Sequence, residues 1–270
     1  MTGFADAGVV RLARSTQGPE RGTPIVLLHG SPTDRSVWAP QAKELAAAGY
    51  RVTAADLRGH GESPLGEGPT SLEAMAGDVL ALADELQLAR FVLGGFSYGG
   101  WVSMELVRSR PERVAALLLV STGAQPDSAK DKAMRPQQAA EIRAHGIKVD
   151  GYAERVLTRD TLVSRPEVWA AARATMSAVS AEGRARAIEA MALRPDFRAT
   201  LPDVRVPALV VAGAEDPITP PALAKEMHKL IPGAFLQIVE GASHLVTLEA
   251  PGIVTQSVLN WLAFSGLDSP

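Results

Sequence analysis

The chain has 270 residues, of which 46% are hydrophobic and 21% are charged, and it contains no cysteine. The absence of thiols excludes disulfide bonds, cysteine-based zinc sites and a thiol nucleophile. Its 27 lysine and arginine residues against 30 aspartate and glutamate residues leave a net charge of −3, which is not the basic footprint of a nucleic-acid-binding protein. At about 100–200 residues per domain, the length allows one large domain or two small ones.

The sequence also indicates where the protein resides. Residues 1–10 contain no basic stretch that leads into an apolar core, so they do not resemble a signal peptide. The purest apolar run, residues 114–120, is much shorter than the roughly 20 residues that a membrane span requires. We therefore expect a cytoplasmic protein that binds neither membranes nor nucleic acid.

Short runs rich in β-branched residues or leucine recur along the chain with little polar–apolar alternation. Such runs are typical of strands that are covered on both faces of a parallel sheet. Amphipathic segments between them indicate helices, as where Leu72, Met75 and Val79 follow each other at three- and four-residue steps. The alternation predicts an α/β fold with a mainly parallel sheet. The predicted strands are residues 9–12, 24–28, 50–54, 90–93, 115–120, 208–211 and 235–239, and the predicted helices are residues 37–48, 71–86, 101–109, 220–230 and 251–261.

Residues 125–200 interrupt this alternation. The segment contains no convincing strand, is rich in alanine, arginine and glutamate, and is typical of several short helices. Ligands of open α/β sheets bind beyond the carboxyl ends of the strands, and the segment follows such a strand. We interpret it as a helical lid, with an ordinary helical subdomain as the alternative. The predicted organisation is one core formed by residues 1–124 and 201–270, with a lid inserted at residues 125–200.

The sharpest local signal is a glycine-rich turn between a predicted strand and a predicted helix. There Gly95-x-Ser97-x-Gly99 matches a nucleophile elbow, in which the serine occupies a strained turn and side chains two residues away would collide. A phosphate-binding P-loop is excluded because Gly100 is followed by Trp101 rather than by lysine. Ser97 is therefore a candidate nucleophile.

A hydroxyl nucleophile needs a general base and an acid that orients the base. His244 lies in a loop between the last predicted strand and the last predicted helix, where it can reach the elbow. Asp216 follows another predicted strand and is the preferred acid, with its neighbour Glu215 as the alternative. The chain order Ser97, Asp216, His244 is that of α/β hydrolases. For the remaining histidines we prefer structural, packing or surface roles: His29, His60, His145 and His228.

Five motifs at predicted strand ends follow one another along the chain. They are His29-Gly30-Ser31-Pro32, Asp56-x-Arg58-Gly59-His60-Gly61-x-Ser63, the elbow at residues 95–99, Gly213-x-x-Asp216 and His244-x-x-x-x-Glu249-x-Pro251. With these motifs the sequence resembles the α/β-hydrolase family over nearly its whole length. It is most similar to lidded serine esterases and lactonases, such as the 3-oxoadipate enol-lactonase-like hydrolases. The resemblance implies an eight-stranded type of sheet, mainly parallel and flanked by helices, with an inserted helical lid.

The resemblance also implies an activity. The expected protein is a serine hydrolase that cleaves a small-molecule carboxylic ester or lactone through an acyl-enzyme, with Ser97 as nucleophile, His244 as general acid–base and Asp216 orienting it. The backbone N–H groups of Ser31 and Tyr98 are implied to form the oxyanion hole. Neither a cofactor nor a metal ion is implied. We expect a small, mostly uncharged substrate as the partner, and a monomer or a homodimer.

Other reactions on the same fold remain open. The sequence at residues 29–32 also occurs in epoxide hydrolases and dehalogenases, but those enzymes use an aspartate nucleophile and position 97 is serine. Alternatives that share the triad are a cofactor-free perhydrolase (a non-haem haloperoxidase), a carbon–carbon bond hydrolase, a lyase and a non-catalytic ligand-binding protein. The substrate stays open, because the segment expected to select it is the poorest in motifs.

Overall fold

The structure of the protein, a computed structural model, describes residues 8–268. Most of the segment on which the signal-peptide prediction rests, residues 1–7, lies outside the described residues. The described strands are β1 (Arg14–Gln17), β2 (Pro24–Leu28), β3 (Arg51–Ala55), β4 (Phe91–Phe96), β5 (Val114–Val120), β6 (Ala208–Gly213) and β7 (Phe235–Val239). They form one sheet in the order β1-β3-β2-β4-β5-β6-β7, in which only β1 runs antiparallel to its neighbour. The predicted α/β fold with a mainly parallel sheet is confirmed.

The start of the sheet differs from the prediction at residues 9–12. Val10 and Leu12 bury their side chains in the core. The backbone N–H of Val10, however, donates to the Asp78 carboxylate at 2.8 Å rather than to a neighbouring strand. The edge strand forms slightly later, at β1, whose polar sequence lacks the apolar run by which strands are predicted. The sheet has seven strands over the described residues, where the family resemblance implied an eight-stranded type.

Eleven α-helices flank the sheet within residues 8–268. They are α1 (Ala39–Ala47), α2 (Leu72–Glu85), α3 (Tyr98–Ser109), α4 (Ala129–His145), α5 (Val149–Val156), α6 (Arg159–Ser164), α7 (Pro166–Ser177), α8 (Ala181–Ala192), α9 (Pro221–Leu230), α10 (Val246–Glu249) and α11 (Pro251–Phe264). Helices α4 to α8, here called the inserted helices, lie between β5 and β6 and within the segment predicted to be helical. The division of the chain at residues 125 and 200 stays a prediction. None of the described helices is long and apolar enough to span a bilayer.

The core lies on both faces of the sheet. Along β5, Leu117 and Leu119 contribute to one buried cluster while Leu118 and Val120 contribute to the other. Successive side chains of a strand point to opposite faces, so a strand covered on both faces is apolar at every position. This explains why the strands appear in the sequence as unbroken apolar runs. Because strands β4 to β7 all run parallel, the carboxyl ends of β4, β6 and β7 lie at the same edge of the sheet.

Candidate active site

Ser97 occupies the turn between β4 and α3. Its backbone has a φ angle of 51° and a ψ angle of −111°, a strained conformation for a residue with a side chain. The turn is close-packed, because a Cβ atom on Gly95 would lie 2.4 Å from the backbone oxygen of Gly99. A Cβ atom on Gly99 would lie 2.5 Å from the backbone oxygen of Leu28. The two glycines of the elbow motif are thus required by backbone packing.

His244 joins Ser97 to Asp216. Its Nε2 atom lies 3.1 Å from Ser97 Oγ, and its Nδ1 atom lies 2.8 Å from Asp216 Oδ2. An ionised carboxylate only accepts hydrogen bonds, so Nδ1 carries the proton and Nε2 is left to accept the Ser97 hydroxyl proton. The side chain of Glu215, the alternative acid, is exposed. The three residues predicted from the sequence therefore form one hydrogen-bonded chain.

The surroundings of Asp216 favour its ionised form. Burial alone would raise the pKa of this carboxyl, but His244 and Thr219 outweigh burial and lower the pKa below its ordinary value. Oδ1 accepts the backbone N–H groups of Ile218 and Thr219 at 2.8 and 2.9 Å, and Oδ2 accepts the Thr219 hydroxyl at 2.6 Å. Thr219, which sequence reasoning missed, thus helps to keep Asp216 charged and correctly oriented toward His244.

The two residues predicted to form the oxyanion hole, Tyr98 and Ser31, both lie next to Ser97 or beside the same cavity. Tyr98 is the first residue of α3, and the first N–H groups of a helix have no acceptor within the helix. Ser31 lies beyond the end of β2 and lines the same cavity as Ser97. The assignment of these two groups to an oxyanion hole remains a prediction.

One neutral histidine, His60, bonds the loop that carries Ser31. Ser31 Oγ lies 2.7 Å from His60 Nε2, and His60 Nδ1 lies 3.1 Å from the backbone oxygen of Arg58. Because that oxygen can only accept, Nδ1 carries the His60 proton and the Ser31 hydroxyl donates to Nε2. Burial lowers the pKa of His60 to about 3, with the neighbouring His29 and Arg184 adding to the effect. The structural role predicted for His60 is consistent with these contacts.

The remaining histidines do not contact Ser97. His29 is buried, accepts the backbone N–H of Leu57 at 2.8 Å and contacts the oxygen of Gly30 at 2.6 Å. His145 is exposed at the end of α4, and His228 is half-buried on α9. Only His244, among the described histidines, is bonded to the elbow serine.

The inserted helices and the His244 loop are joined by Glu249. This buried carboxylate accepts the backbone N–H of Ser243 at 2.7 Å and that of Thr158, just before α6, also at 2.7 Å. The N–H of Leu245 donates to the backbone oxygen of Val156 at 3.1 Å. Glu249 was part of a sequence motif without an assigned role, and the structure shows that it ties the residue before His244 to the inserted helices.

A small cavity opens beside Ser97. The space that it encloses is well below the range of about 300–1,000 Å³ that is usual for drug-sized ligands. The strand ends and the inserted helices both contribute to its wall, so the helices cover the elbow. Its lining residues are Ser31, Thr33, Phe96, Ser97, Tyr152, Val156, Met176, His244 and Leu245. Within residues 8–268, no three histidine or acidic side chains are grouped to hold a metal ion.

Comparisons with known proteins show which family the chain resembles. A sequence model of the alpha/beta hydrolase family matches residues 25–256. The chain is 30% identical to 3-oxoadipate enol-lactonase 2 of Acinetobacter baylyi, over 92% of either protein. Among solved structures it resembles a thermophilic esterase from Thermogutta terrifontis with malate bound (36% identity, TM-score 0.93, 99% of this chain and 98% of that one). It also resembles the enol-lactonase from Burkholderia xenovorans (33% identity, TM-score 0.85, 96% of this chain and 99% of that one).

Proposed function

The chain belongs to the alpha/beta hydrolase family, and we propose that it hydrolyses small carboxylic esters or lactones through an acyl-enzyme on Ser97. The observation that carries the proposal is the position of His244, 3.1 Å from Ser97 Oγ and 2.8 Å from Asp216 Oδ2. The similarity to esterases and enol-lactonases supports the same reaction class.

The proposed mechanism uses His244 as the proton carrier in both half-reactions. His244 Nε2 takes the proton of Ser97 as Oγ attacks the carbonyl carbon, and Asp216 stabilises the imidazolium that forms. The backbone N–H groups of Ser31 and Tyr98 stabilise the negative oxygen of the tetrahedral intermediate. His244 then protonates the leaving alkoxide. A water molecule, deprotonated by His244, then attacks the acyl carbon. His244 returns this proton to Ser97 Oγ as the acid is released.

The inserted helices have a proposed role in selecting the substrate. Tyr152 and Val156 of α5 and Met176 of α7 form part of the cavity wall. Since the cavity is small, these side chains favour short acyl groups over long ones. The inserted helices would therefore act as a lid whose inner face sets the size of the substrate.

The Ser97→Ala variant tests the proposal. We expect it to lose turnover of p-nitrophenyl acetate and of a small lactone by a factor on the order of 10⁶, and to lose labelling by a fluorophosphonate. Ser164→Ala, which alters an exposed serine of α6, is the matched control and should keep both activities. Persistence of turnover and labelling in Ser97→Ala would exclude Ser97 as the nucleophile. A peroxide-dependent halogenation assay in acetate buffer distinguishes a perhydrolase from a hydrolase.

A further inference from the structure

One arginine beside the cavity lacks an acidic partner. Nη1 of Arg184, on α8, donates to the backbone oxygen and the hydroxyl of Ser31, at 3.0 and 2.9 Å. Within the described residues it forms no ion pair, and its Nε and Nη2 groups have no protein acceptor. Arg58, which is fully buried, shows the usual arrangement, because two of its nitrogens bond the Asp78 carboxylate at 2.6 and 2.7 Å. Unlike Arg58, Arg184 therefore has no carboxylate bonded to its guanidinium.

The surroundings of Arg184 are positively charged. Arg135 and Arg194 share a single carboxylate, that of Asp127, at 2.7 and 3.1 Å. Burial lowers the pKa of Arg184, and the positive charge of Arg135 adds to that effect. An arginine nevertheless stays protonated in proteins, so Arg184 carries a positive charge to which no carboxylate of the described residues is bonded. Arg184 is half-buried, and a bound anion would supply the acidic partner that its guanidinium lacks in the protein.

The guanidinium lies against two walls of the cavity. It bonds Ser31, and its carbon atom lies 5.7 Å from the centre of the Tyr152 ring. Ser31 and Tyr152 both line the cavity that contains Ser97. The unused Nε and Nη2 groups form one edge of the guanidinium, and such an edge binds a carboxylate through two parallel hydrogen bonds.

We propose that Arg184 binds a carboxylate group of the substrate, so that the esters or lactones cleaved at Ser97 are monoanions. The inference rests on the proposed hydrolase function and names the substrate class. It replaces the expectation of a mostly uncharged substrate, which was drawn from the net charge of the whole chain. The net charge of the whole chain, −3, does not report the positive charge of Arg184 next to Ser31.

A purely positioning role for Arg184 has a different consequence. Its two bonds to Ser31 hold the loop of the proposed oxyanion hole, and every substrate uses that hole. Loss of positioning would therefore slow charged and uncharged substrates by the same factor. Loss of carboxylate binding would slow only the charged ones.

The experiment compares matched esters in wild type and in Arg184→Met. Monoethyl succinate is paired with ethyl 4-methylpentanoate, and acetoxyacetate with isobutyl acetate, so that an isopropyl group replaces the carboxylate on the acyl or the alcohol side. We expect wild type to prefer the anionic ester of at least one pair in kcat/KM. Arg184→Met should lower that preference about 10- to 100-fold, the effect of losing charge-assisted hydrogen bonds. Arg184→Lys keeps the charge but not the paired hydrogen bonds and should lose part of the preference.

Control measurements separate this inference from the proposed function. Arg186→Met alters the same helix at a residue that pairs with Glu182, and it should keep the wild-type preference. Equal slowing of both esters of each pair in Arg184→Met would overturn carboxylate binding and leave only positioning. If wild type hydrolyses none of the esters, the proposed function fails. Calorimetric binding of succinate to Ser97→Ala then still decides the inference, which requires that adding Arg184→Met abolish the binding.

Discussion

The strand ends and the inserted helices line the same cavity, but different interactions hold them. At the strand ends the backbone segments touch, as at Gly99, and the side chains of Asp216 and His244 are buried. Along α4, by contrast, only Ala139 is buried, and Arg143 links that helix to α8 through exposed ion pairs. Close backbone contacts require particular residues at fixed positions, whereas ion pairs between helices can form at many positions. The first region is therefore intolerant of substitution, whereas the exposed surface of the inserted helices should be tolerant.

The largest loss of stability and activity is expected from Gly99→Ala, which adds one methyl group at the strand ends. In Gly99→Ala the new Cβ atom would lie 2.5 Å from the oxygen of Leu28 and 2.6 Å from that of His29, both of which are backbone atoms that cannot move aside. We expect the free energy of unfolding to fall by about 3 kcal/mol and ester turnover to be lost. Urea unfolding and turnover of p-nitrophenyl acetate measure the two effects.

The matched substitution lies in the inserted helices. A Cβ atom on Gly151, in α5, would meet no neighbouring group within 4 Å, and the backbone of this residue is helical. Gly151→Ala should raise the free energy of unfolding by about 0.5–1 kcal/mol, because alanine favours the helix more than glycine does. Equal destabilisation by the two substitutions would contradict the difference between the regions.

The same difference determines what the sequence could predict. The sequence predicts Ser97, Asp216 and His244 because each follows a predicted strand, and the structure brings the three side chains within hydrogen-bond distance. The edge strand β1 was missed, since a polar strand paired on one side leaves no apolar run. Arg184 could not be found, because its role depends on where α8 places it against Ser31, and no sequence spacing encodes that contact.

A second prediction concerns acid stability at the strand ends. Burial lowers the pKa of His60 from 6.5 to about 3, so the unfolded chain binds a proton over a pH range in which the folded protein does not. Stability is therefore lost as the pH falls from about 6.5 toward about 3, at up to about 1.4 kcal/mol per pH unit for one group. His60→Gln should reduce stability at pH 7 but make its decline between pH 6.5 and 4 shallower. Urea unfolding across this range measures the slope.

The control histidine belongs to the inserted helices. His145 is exposed at the end of α4, whereas His60 is buried. His145→Gln should keep the wild-type slope of stability against pH. A slope for His60→Gln equal to that of wild type would show that His60 does not contribute to the acid sensitivity.

The smallest effect is expected for Arg143→Ala. Arg143 bonds Glu182 at 2.7 Å and Glu189 at 2.6 Å, but all three side chains are at least 38% exposed. Exposed ion pairs contribute at most about 1 kcal/mol, and salt screens them. We therefore expect a loss below about 1 kcal/mol in urea unfolding, smaller still in 1 M salt, with ester turnover unchanged.

The Arg143 ion pairs lose their stabilising effect at a lower pH than the one at which His60 begins to destabilise the fold. Hydrogen bonds from Arg143 and Arg186 lower the pKa of Glu182 to about 2. The pairing is thus present above the ordinary glutamate pKa of about 4.3 and is lost only as the pH falls toward about 2. Between pH 6.5 and 4.5, wild type and Arg143→Ala should therefore lose stability in parallel, because the decline expected in that range arises from His60, which both proteins retain. A loss of more than about 2 kcal/mol, or a loss of turnover, would mean that these exposed pairs position the cavity wall and that the inserted helices are as intolerant as the strand ends.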